Sequence, residues 1–562
     1  MHSSIPFTAR KTCKQCSTGF GVTDEDMAFY DKVSPVFGGK KYQIPPPTHC
    51  HNCRLQRRRA FRNCRKLYKR KCDLTKNEVI SVYSSDKPHR VYGQEAWYGD
   101  NWNPLDHGRD IDFSRPFFEQ FKELSIEAPR WSKIAFNCEN SDYCLHSGFL
   151  KNCYLVTSSI ESEECLYCYR IFSCIHCIDC SNLHMCEMCY FCIDSELLNN
   201  CIYVQNSKQC RNSVFCFDCA SCSDCLLCVG LRNKNYCIRN KQYSKEEYKK
   251  KRDELFQKGI DFLTGELEVL KMGVPHRAVH NFNSEDCTGD FIFNSKNIID
   301  GYYMNDSEDS KYVQEGKKTT LSHDCSNPDE FVECYEVESS AFCNCVLFSD
   351  NLIANNSLYC STCIKIDDCF GCVGLHKKKH CILNKQYSKE EYEELVPKII
   401  EHMQSTGEWG EFFPVELSPF AYNETVAQEY FPLTKEEVEA KGWKWRDQKD
   451  EIPKVEKIIK ANQLPDSIES IPDDVLNWAI ECEATSRPFR IVKQELEFYR
   501  RMKLPIPHLH PDERHKRRMA LRNPRKLWAR QCDKCGKEME TTYSPDRPER
   551  VFCDKCYLKE VY

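Results

Sequence analysis

Cys165-Leu-Tyr-Cys168-Tyr-Arg-Ile171-Phe-Ser-Cys174-Ile-His-Cys177-Ile-Asp-Cys180 places a cysteine or an apolar residue at every third position. The rule extends outward in both directions. All nineteen cysteines from Cys138 to Cys237 have numbers divisible by three. Gaps in that register are filled by Ser141, Ser147, Leu150, Val156, Ser159, Ser162, Ile171, Leu183, Ser195, Leu198, Val204, Ser207, Ser213 and Leu231, which are small or apolar. The intervening positions carry Asn, Asp, Glu and Lys along with Tyr and Ile. Three residues of α-helix fall about 60° short of a full turn, so such a stripe would wind around the helix. A plain strand alternates with period two. Short extended pieces separated by corners, each contributing one inward residue, satisfy the spacing.

A chain built this way is a tightly wound, narrow β-solenoid. Its spacing resembles insect antifreeze β-helices, in periodicity alone. A coil length divisible by three keeps the cysteines in columns, with coils stacked about 4.8 Å apart. The thiols then read as core packing, since free cysteine is small and frequently buried. Two other readings stay open: further metal or iron–sulfur ligation, for which Cys174, Cys177 and Cys180 have suitable spacing, and disulfide or redox use. A less regular second segment spans 281–385. There Cys325, Cys334 and Cys343 share one register, and Cys345, Cys360, Cys363, Cys369, Cys372 and Cys381 another. A one-residue bulge near Asn344 would explain the change. Both segments end alike, in Cys237-Ile-Arg-Asn-Lys-Gln-Tyr-Ser244 and Cys381-Ile-Leu-Asn-Lys-Gln-Tyr-Ser388. Ser244 with Glu247, and Ser388 with Glu391, form capping boxes that open helices. Each helix is expected to close at Thr-Gly-Glu (264–266 and 406–408) and to cap exposed strand edges.

The two ends of the chain repeat each other. Ala60-Phe-Arg-Asn-Cys-Arg-Lys-Leu-Tyr68 aligns with Ala520-Leu-Arg-Asn-Pro-Arg-Lys-Leu-Trp528, and Phe20 to Tyr30 resembles Phe489 to Tyr499. Each copy keeps four thiolates in one half. The first has Cys13, Cys16, Cys50 and Cys53, which correspond to Cys482, Thr485, His510 and Glu513. The second has Cys532, Cys535, Cys553 and Cys556, which correspond to Cys72, Thr75, Gly93 and Ala96. Two Cys-x-x-Cys knuckles supply the four tetrahedral ligands zinc prefers, and a closed set is structural. Two structural Zn2+ ions are therefore expected. Cys13-x-x-Cys16, Phe20, Phe29-Tyr30 and Pro47-Thr-His-Cys50-x-x-Cys53-Arg54 together resemble the treble-clef zinc-ribbon family, in which the last cysteine pair opens a helix. With Asn384-Lys-Gln-Tyr-Ser388 and Arg522-Asn-Pro-Arg-Lys526, nearly the whole chain resembles cysteine-rich zinc-ribbon proteins of candidate-phylum bacteria. That resemblance implies fold and metal, and carries no activity.

The expected class is mainly β with α: two cysteine-rich solenoid segments with capping helices, flanked by duplicated treble-clef or zinc-ribbon modules. The expected order is a zinc module with a degenerate ribbon over 1–98 and a helical connector over 99–137. The first solenoid spans 138–240, capping helices 241–280 and the second solenoid 281–385. A helical and aromatic connector follows over 386–480, with helix starts at Pro453 and Pro472. A degenerate treble clef with the C-terminal ribbon completes the chain over 481–562.

For function, the basic runs behind the ligands stand out. Arg57, Arg58, Arg59, Arg62 and Arg65, matched by Arg517, Arg518, Arg522 and Arg525, suit phosphate backbones, because guanidinium forks bind phosphate bidentately. The leading expectation is a non-catalytic zinc protein contacting nucleic acid, RNA or the ribosome in preference to DNA. Pairing of these arginines with the protein's own carboxylates is the competing reading of the same residues. The alternative function is a solenoid scaffold that binds proteins along its length, and the third is a thiol-redox or metal-handling protein. No phosphate-binding glycine loop, nucleophile elbow or zincin helix occurs, so no enzyme and no small-molecule substrate are expected. The net charge of −5 over 562 residues excludes a basic coat protein. No apolar leader and no membrane-length apolar run occur, so forty cysteines read as intracellular and the chain as cytoplasmic, without a membrane partner.

Overall fold

The computed structural model describes residues 7–338, 341–350, 353–447 and 453–561. These residues form more strand than helix, with twelve α-helices and no closed barrel. They fall into two compact units, each assembled from separated stretches. The first unit holds 1–133, 279–446 and 525–527, and the second 134–278, 447–524 and 528–562.

The second unit is built on the first cysteine segment. Its strands pair in parallel with the chain twelve residues on: Tyr169 with Ser181, Val204 with Cys216, Cys225 with Cys237. Isolated bridges such as Glu139 with Lys151 continue that offset backward. Each turn of chain is thus four repeats of three residues. The residue before each inward one is left-handed, with φ of 52° at Asn152, 56° at Tyr167 and 54° at Asp179. This conformation costs an L-residue about 1–2 kcal/mol, and Asn and Asp tolerate it best. Asn140, Asn152, Asp179, Asn182, Asp194, Asn200 and Asn212 accordingly occupy such corners.

The corners explain the composition of the interior. Inward N–H groups are taken up by the serine or cysteine twelve residues earlier. Ile171 N–H donates to Ser159 Oγ (3.0 Å), Cys177 N–H to Cys165 Sγ (3.4 Å) and Cys180 N–H to Cys168 Sγ (3.4 Å). The same side chain donates its own hydrogen to the carbonyl two residues back, as Ser159 does to Thr157 (2.9 Å) and Cys168 to Leu166 (3.2 Å). Cysteine and serine interchange because both make this pair of bonds. Leu150, Val156 and Leu183 fill the same register by volume alone and are buried. Lys234 also falls in the register, in the last turn, and is exposed.

The first unit carries the second segment. Most pairs again lie twelve apart, as Ile298 with Ser310 and Cys369 with Cys381. Two turns are shortened to eleven, at Phe282 with Phe293 and at Cys343 with Ala354. The change of register near Asn344 is therefore corrected. Positive φ keeps its phase through Phe348 and resumes shifted at Asn356, so one residue is lost there, and no bulge sits at Asn344. Cys345 is itself a left-handed corner (φ 51°) and half-exposed, whereas Cys343 is buried.

Both capping boxes form. The helix Lys389–Thr406 closes at Gly407, whose φ of 75° suits glycine. Its counterpart Lys245–Phe256 ends earlier, and Thr264-Gly-Glu lies inside a further helix, Ile260–Met272. Pro453 starts no helix: Lys457–Lys460 is a strand parallel to Trp478–Glu481, because Ile458 and Ile459 favour extended chain. Pro472 does precede a short 3-10 helix, Asp473–Asn477.

Each unit also carries a head with the same order of elements. In the first, the hairpin Phe7–Thr12 with Gly19–Thr23 leads to helix Asp24–Val33, helix His51–Arg59 and hairpin Tyr68–Lys71 with Glu78–Ser81. In the second, Trp478–Glu481 pairs with Pro488–Phe489, followed by helices Lys493–Met502 and Pro511–Ala520 and hairpin Trp528–Gln531 with Glu538–Thr541.

Candidate metal centres and buried arginine clamps

The heads bring each thiol quartet together. The sulfurs of Cys13, Cys16, Cys50 and Cys53 lie within 4.8 Å of one another, as do those of Cys532, Cys535, Cys553 and Cys556. Two separations are 3.7 Å (Cys16 to Cys50) and 3.9 Å (Cys535 to Cys553). A tetrahedral thiolate site with metal–sulfur bonds of about 2.3 Å has edges of about 3.8 Å, so both quartets fit one ion each. Local backbone prepares the ligands. Cys553 N–H donates to Cys532 Sγ (3.3 Å). Burial opposes ionisation of Cys532, but the N–H groups of Cys553, Cys535 and Lys534 prevail and hold its thiol down to about 6. The degenerate copies keep this turn without the quartet: Cys72 accepts from Gly93 N–H (3.3 Å) and Cys482 from His510 N–H (3.2 Å). Among the described residues, no further group of three metal-ligating side chains is this close. Cys174, Cys177 and Cys180 instead hydrogen-bond backbone carbonyls.

The basic helices behind the quartets turn inward. Arg58 and Arg59 of His51–Arg59 are 0% and 1% exposed, and Arg518 of Pro511–Ala520 is 0% exposed. In the first unit Arg54 reaches Asp324 at 2.8 Å and Arg58 reaches it at 3.3 Å. Arg57 pairs with Glu336 (3.2 Å) and Glu411 (2.8 Å), and Arg59 with Glu338 (3.2 Å) and Glu315 (3.4 Å). In the second unit Arg514 and Arg518 both grip Asp179 at 2.5 Å, and Arg522 meets Asp194 at 3.4 Å.

The two clamps are one design. Arg54 and Arg58 align with Arg514 and Arg518, and each pair, one helical turn apart, straddles an aspartate at a left-handed corner of the winding. Arg54 lies over the ring of Tyr312 (5.7 Å) and Arg514 over Tyr167 (4.5 Å), in both cases the residue one turn of the winding before the aspartate. Burial works against ionisation of Asp324, yet the adjoining Arg54 and Arg58 keep its carboxyl below the usual range.

The expectation that Arg57, Arg58, Arg59, Arg62, Arg518, Arg522 and Arg525 face a phosphate backbone is therefore corrected. Their guanidiniums are buried and engaged within the chain. Arg62 Nε donates to Cys64 Sγ (3.1 Å), and Arg525 donates to Gln314 (2.8 Å) and pairs with Glu315. Arg65 is half-buried, and Arg517 alone of the nine is exposed. Sequence reading missed the acceptors Asp179, Asp324, Glu336 and Glu338. The available signal was an acidic side chain at the corner register opposite an Arg-x-x-x-Arg pair present in both heads.

No helix among the described residues is long and apolar enough to cross a membrane. No family model and no curated protein matches this chain. A solved structure named as an acetyltransferase, from Desulfovibrio desulfuricans G20, is 9% identical with a TM-score of 0.10. It spans 41% of this chain, and this chain spans 62% of it; a likeness that slight carries no argument.

Proposed function

We propose that this is a non-catalytic zinc protein that serves as a binding scaffold: two narrow, cysteine-filled β-solenoids, each clamped by a treble-clef or ribbon-like head. The observation that carries this reading is the repeated clamp. In both units a pair of arginines on the basic helix is engaged by a corner aspartate of the protein's own winding. Such burial stabilises a particular docking of head on solenoid. The outward positions of the solenoid are then the long surface a scaffold offers.

Zinc is the ion of choice because four thiolates in a closed tetrahedron suit it and leave no open position for a substrate. Metal analysis of protein purified under reducing conditions should find two zinc ions per chain, and one after Cys535→Ser. Iron, or no metal at all, would overturn the zinc assignment. Crosslinking in the source cell should tie outward positions of the windings to a recurrent protein; crosslinks confined to solvent-exposed loops would count against the scaffold.

A further inference from the structure

The closing elements of the two windings share a sequence and a fold, yet differ sharply in charge. From Arg239 to Lys258 there are eight basic side chains against four acidic ones. In the matching stretch of the first unit, Leu383 to His402, there are three against five. Capping a winding needs neither balance, since both capping boxes form and both helices bury the equivalent tyrosine, Tyr248 and Tyr392. The difference lies outside: Lys249 and Lys250 stand where the sister helix has Glu393 and Glu394.

The lysines are also unspent. In the first unit Lys385 pairs with Asp110 (2.6 Å), Lys379 with Asp367 (2.9 Å) and Lys389 with Glu393 (3.7 Å). In the second, Lys234, Lys241, Lys245, Lys249, Lys250, Lys251 and Lys258 are exposed, and none has a carboxylate at ion-pairing distance among the described residues. Three nearby acids are otherwise used. Glu247 caps the helix through Ser244, Asp253 pairs with Arg252 (3.0 Å) and Glu266 with Arg239. Lys234 is notable because it stands in the register that elsewhere holds buried cysteine and serine.

Aromatic rings are set among these cations. Lys241, on the closing hairpin, and Lys251, on the helix, both lie over the Tyr243 ring, at 5.6 and 5.3 Å. Lys258 lies over Phe262 at 4.7 Å, and Phe262 is 37% exposed. We propose that this hairpin and helix, with the start of the following helix Ile260–Met272, form a binding surface for single-stranded RNA, with the ammonium groups on phosphates and the exposed Phe262 ring as a stacking face. Alternating cations and rings on a rigid support are what sequence-tolerant strand binding requires. An anionic bilayer fits less well, because Tyr248 and Leu255 are turned into the protein and Phe256, at the end of this helix, is its one exposed apolar side chain, short of the continuous apolar face an interfacial helix inserts.

The sister element provides the test, since Lys249→Glu with Lys250→Glu installs residues that the same fold already carries. A fluorescein-labelled oligouridylate would be titrated with the zinc-loaded full chain across a salt series. The native chain should bind at about 50 mM salt and lose affinity along a straight log–log line, with a slope of about −0.7 per phosphate neutralised. The double variant should bind at least about tenfold more weakly at that salt and show a shallower slope. Arg517→Glu, on the other basic element, should leave affinity within about twofold. Unchanged binding by the double variant, no binding by the native chain at low salt, or binding to phosphatidylserine vesicles without RNA would each overturn the proposal. Zinc content of all three proteins separates its failure from a failure of the zinc scaffold.

Discussion

At the scale of the residue, the interior cysteines act as hydrogen-bonding spacers. Cys180 donates to the Ile178 carbonyl (3.3 Å) and accepts from Cys192 N–H (3.5 Å). Replacement by serine keeps both bonds, so Cys180→Ser should cost under about 1.5 kcal/mol, as a near-isosteric change does. Cys180→Ala leaves a buried N–H without its partner and should cost about 1–3 kcal/mol more, read as a lower urea midpoint at unchanged m-value. The order of the two variants is the decisive result: alanine at least as stable as serine would refute the hydrogen-bonding role. Two buried histidines set an acid limit. Burial pushes both His323 and His89 down to about 3, against the pull of Asp26 and Asp324 at His323 and with the help of Arg130 at His89. Below the unfolded value of about 6.5 the unfolded chain takes up protons that the folded chain refuses, so stability falls as pH drops from about 6.5 toward 3. At pH 5 each should remove about 2 kcal/mol. His323 stacks on Phe29 (ring centres 3.5 Å apart), so His323→Phe keeps an aromatic contact. Denaturation at pH 7.5 and 5 should show the variant losing about 2 kcal/mol less than the native chain across that interval, while proton-linked zinc loss is common to both.

At the scale of the element, the basic helix and the winding corner are complementary halves. Asp179 sits between Arg514 and Arg518 with no exposure. Removing it takes the carboxylate from buried Arg518 and leaves Arg514 with Glu495 alone (3.3 Å), so Asp179→Asn should destabilise by about 3–5 kcal/mol. Arg518→Met alone should cost less, since Asp179 keeps Arg514, and the two changes together less than their sum, because the double variant no longer leaves Arg518 without its carboxylate. A strictly additive cycle would mean the pair is not a unit. This clamp also shows where sequence reading stops. The every-third register, the capping boxes and the two thiol quartets were legible because each is a local pattern: a period, a cap or a pair of knuckles. The acceptors of the arginines were not, because Asp324 lies 270 positions from Arg54 and Asp179 lies 335 from Arg514. A run of arginines looks the same facing solvent or facing a carboxylate. Its repetition in two heads, each paired with one winding, distinguishes the cases only once the units are known. The missing helix at Pro453 and the continuation through Thr264-Gly-Glu are smaller failures of the same kind, where tertiary pairing and packing overrode a local start or stop signal.

At the scale of the whole molecule, the forty cysteines divide into populations with different chemistry. Most winding thiols are buried and bonded to backbone, while the eight in the quartets are the candidate metal ligands. Cys138, Cys287 and Cys345 are half-exposed and belong to neither quartet. Metal and stability should therefore separate in one experiment. In the zinc-loaded chain an aromatic disulfide reagent should label Cys345, Cys287 and Cys138 readily and the quartets slowly. Chelation should release two ions and bring the quartets into the fast population, because thiolate reactivity follows exposure and ionisation. The windings should persist, since among the described residues neither thiol quartet lies in them: their β circular dichroism should be retained while the winding thiols stay unreactive until denaturant is added. Loss of the β signal together with a burst of nearly all forty thiols on chelation would show that the heads and windings fold as one cooperative unit, with zinc as the condition for both. Retention of β structure places zinc on the heads alone. The Arg-on-Asp clamps would then be what transmits a metal-dependent change to the winding, and chelation should weaken Asp179→Asn further than it weakens the native chain only if the C-terminal ribbon and the second clamp are coupled.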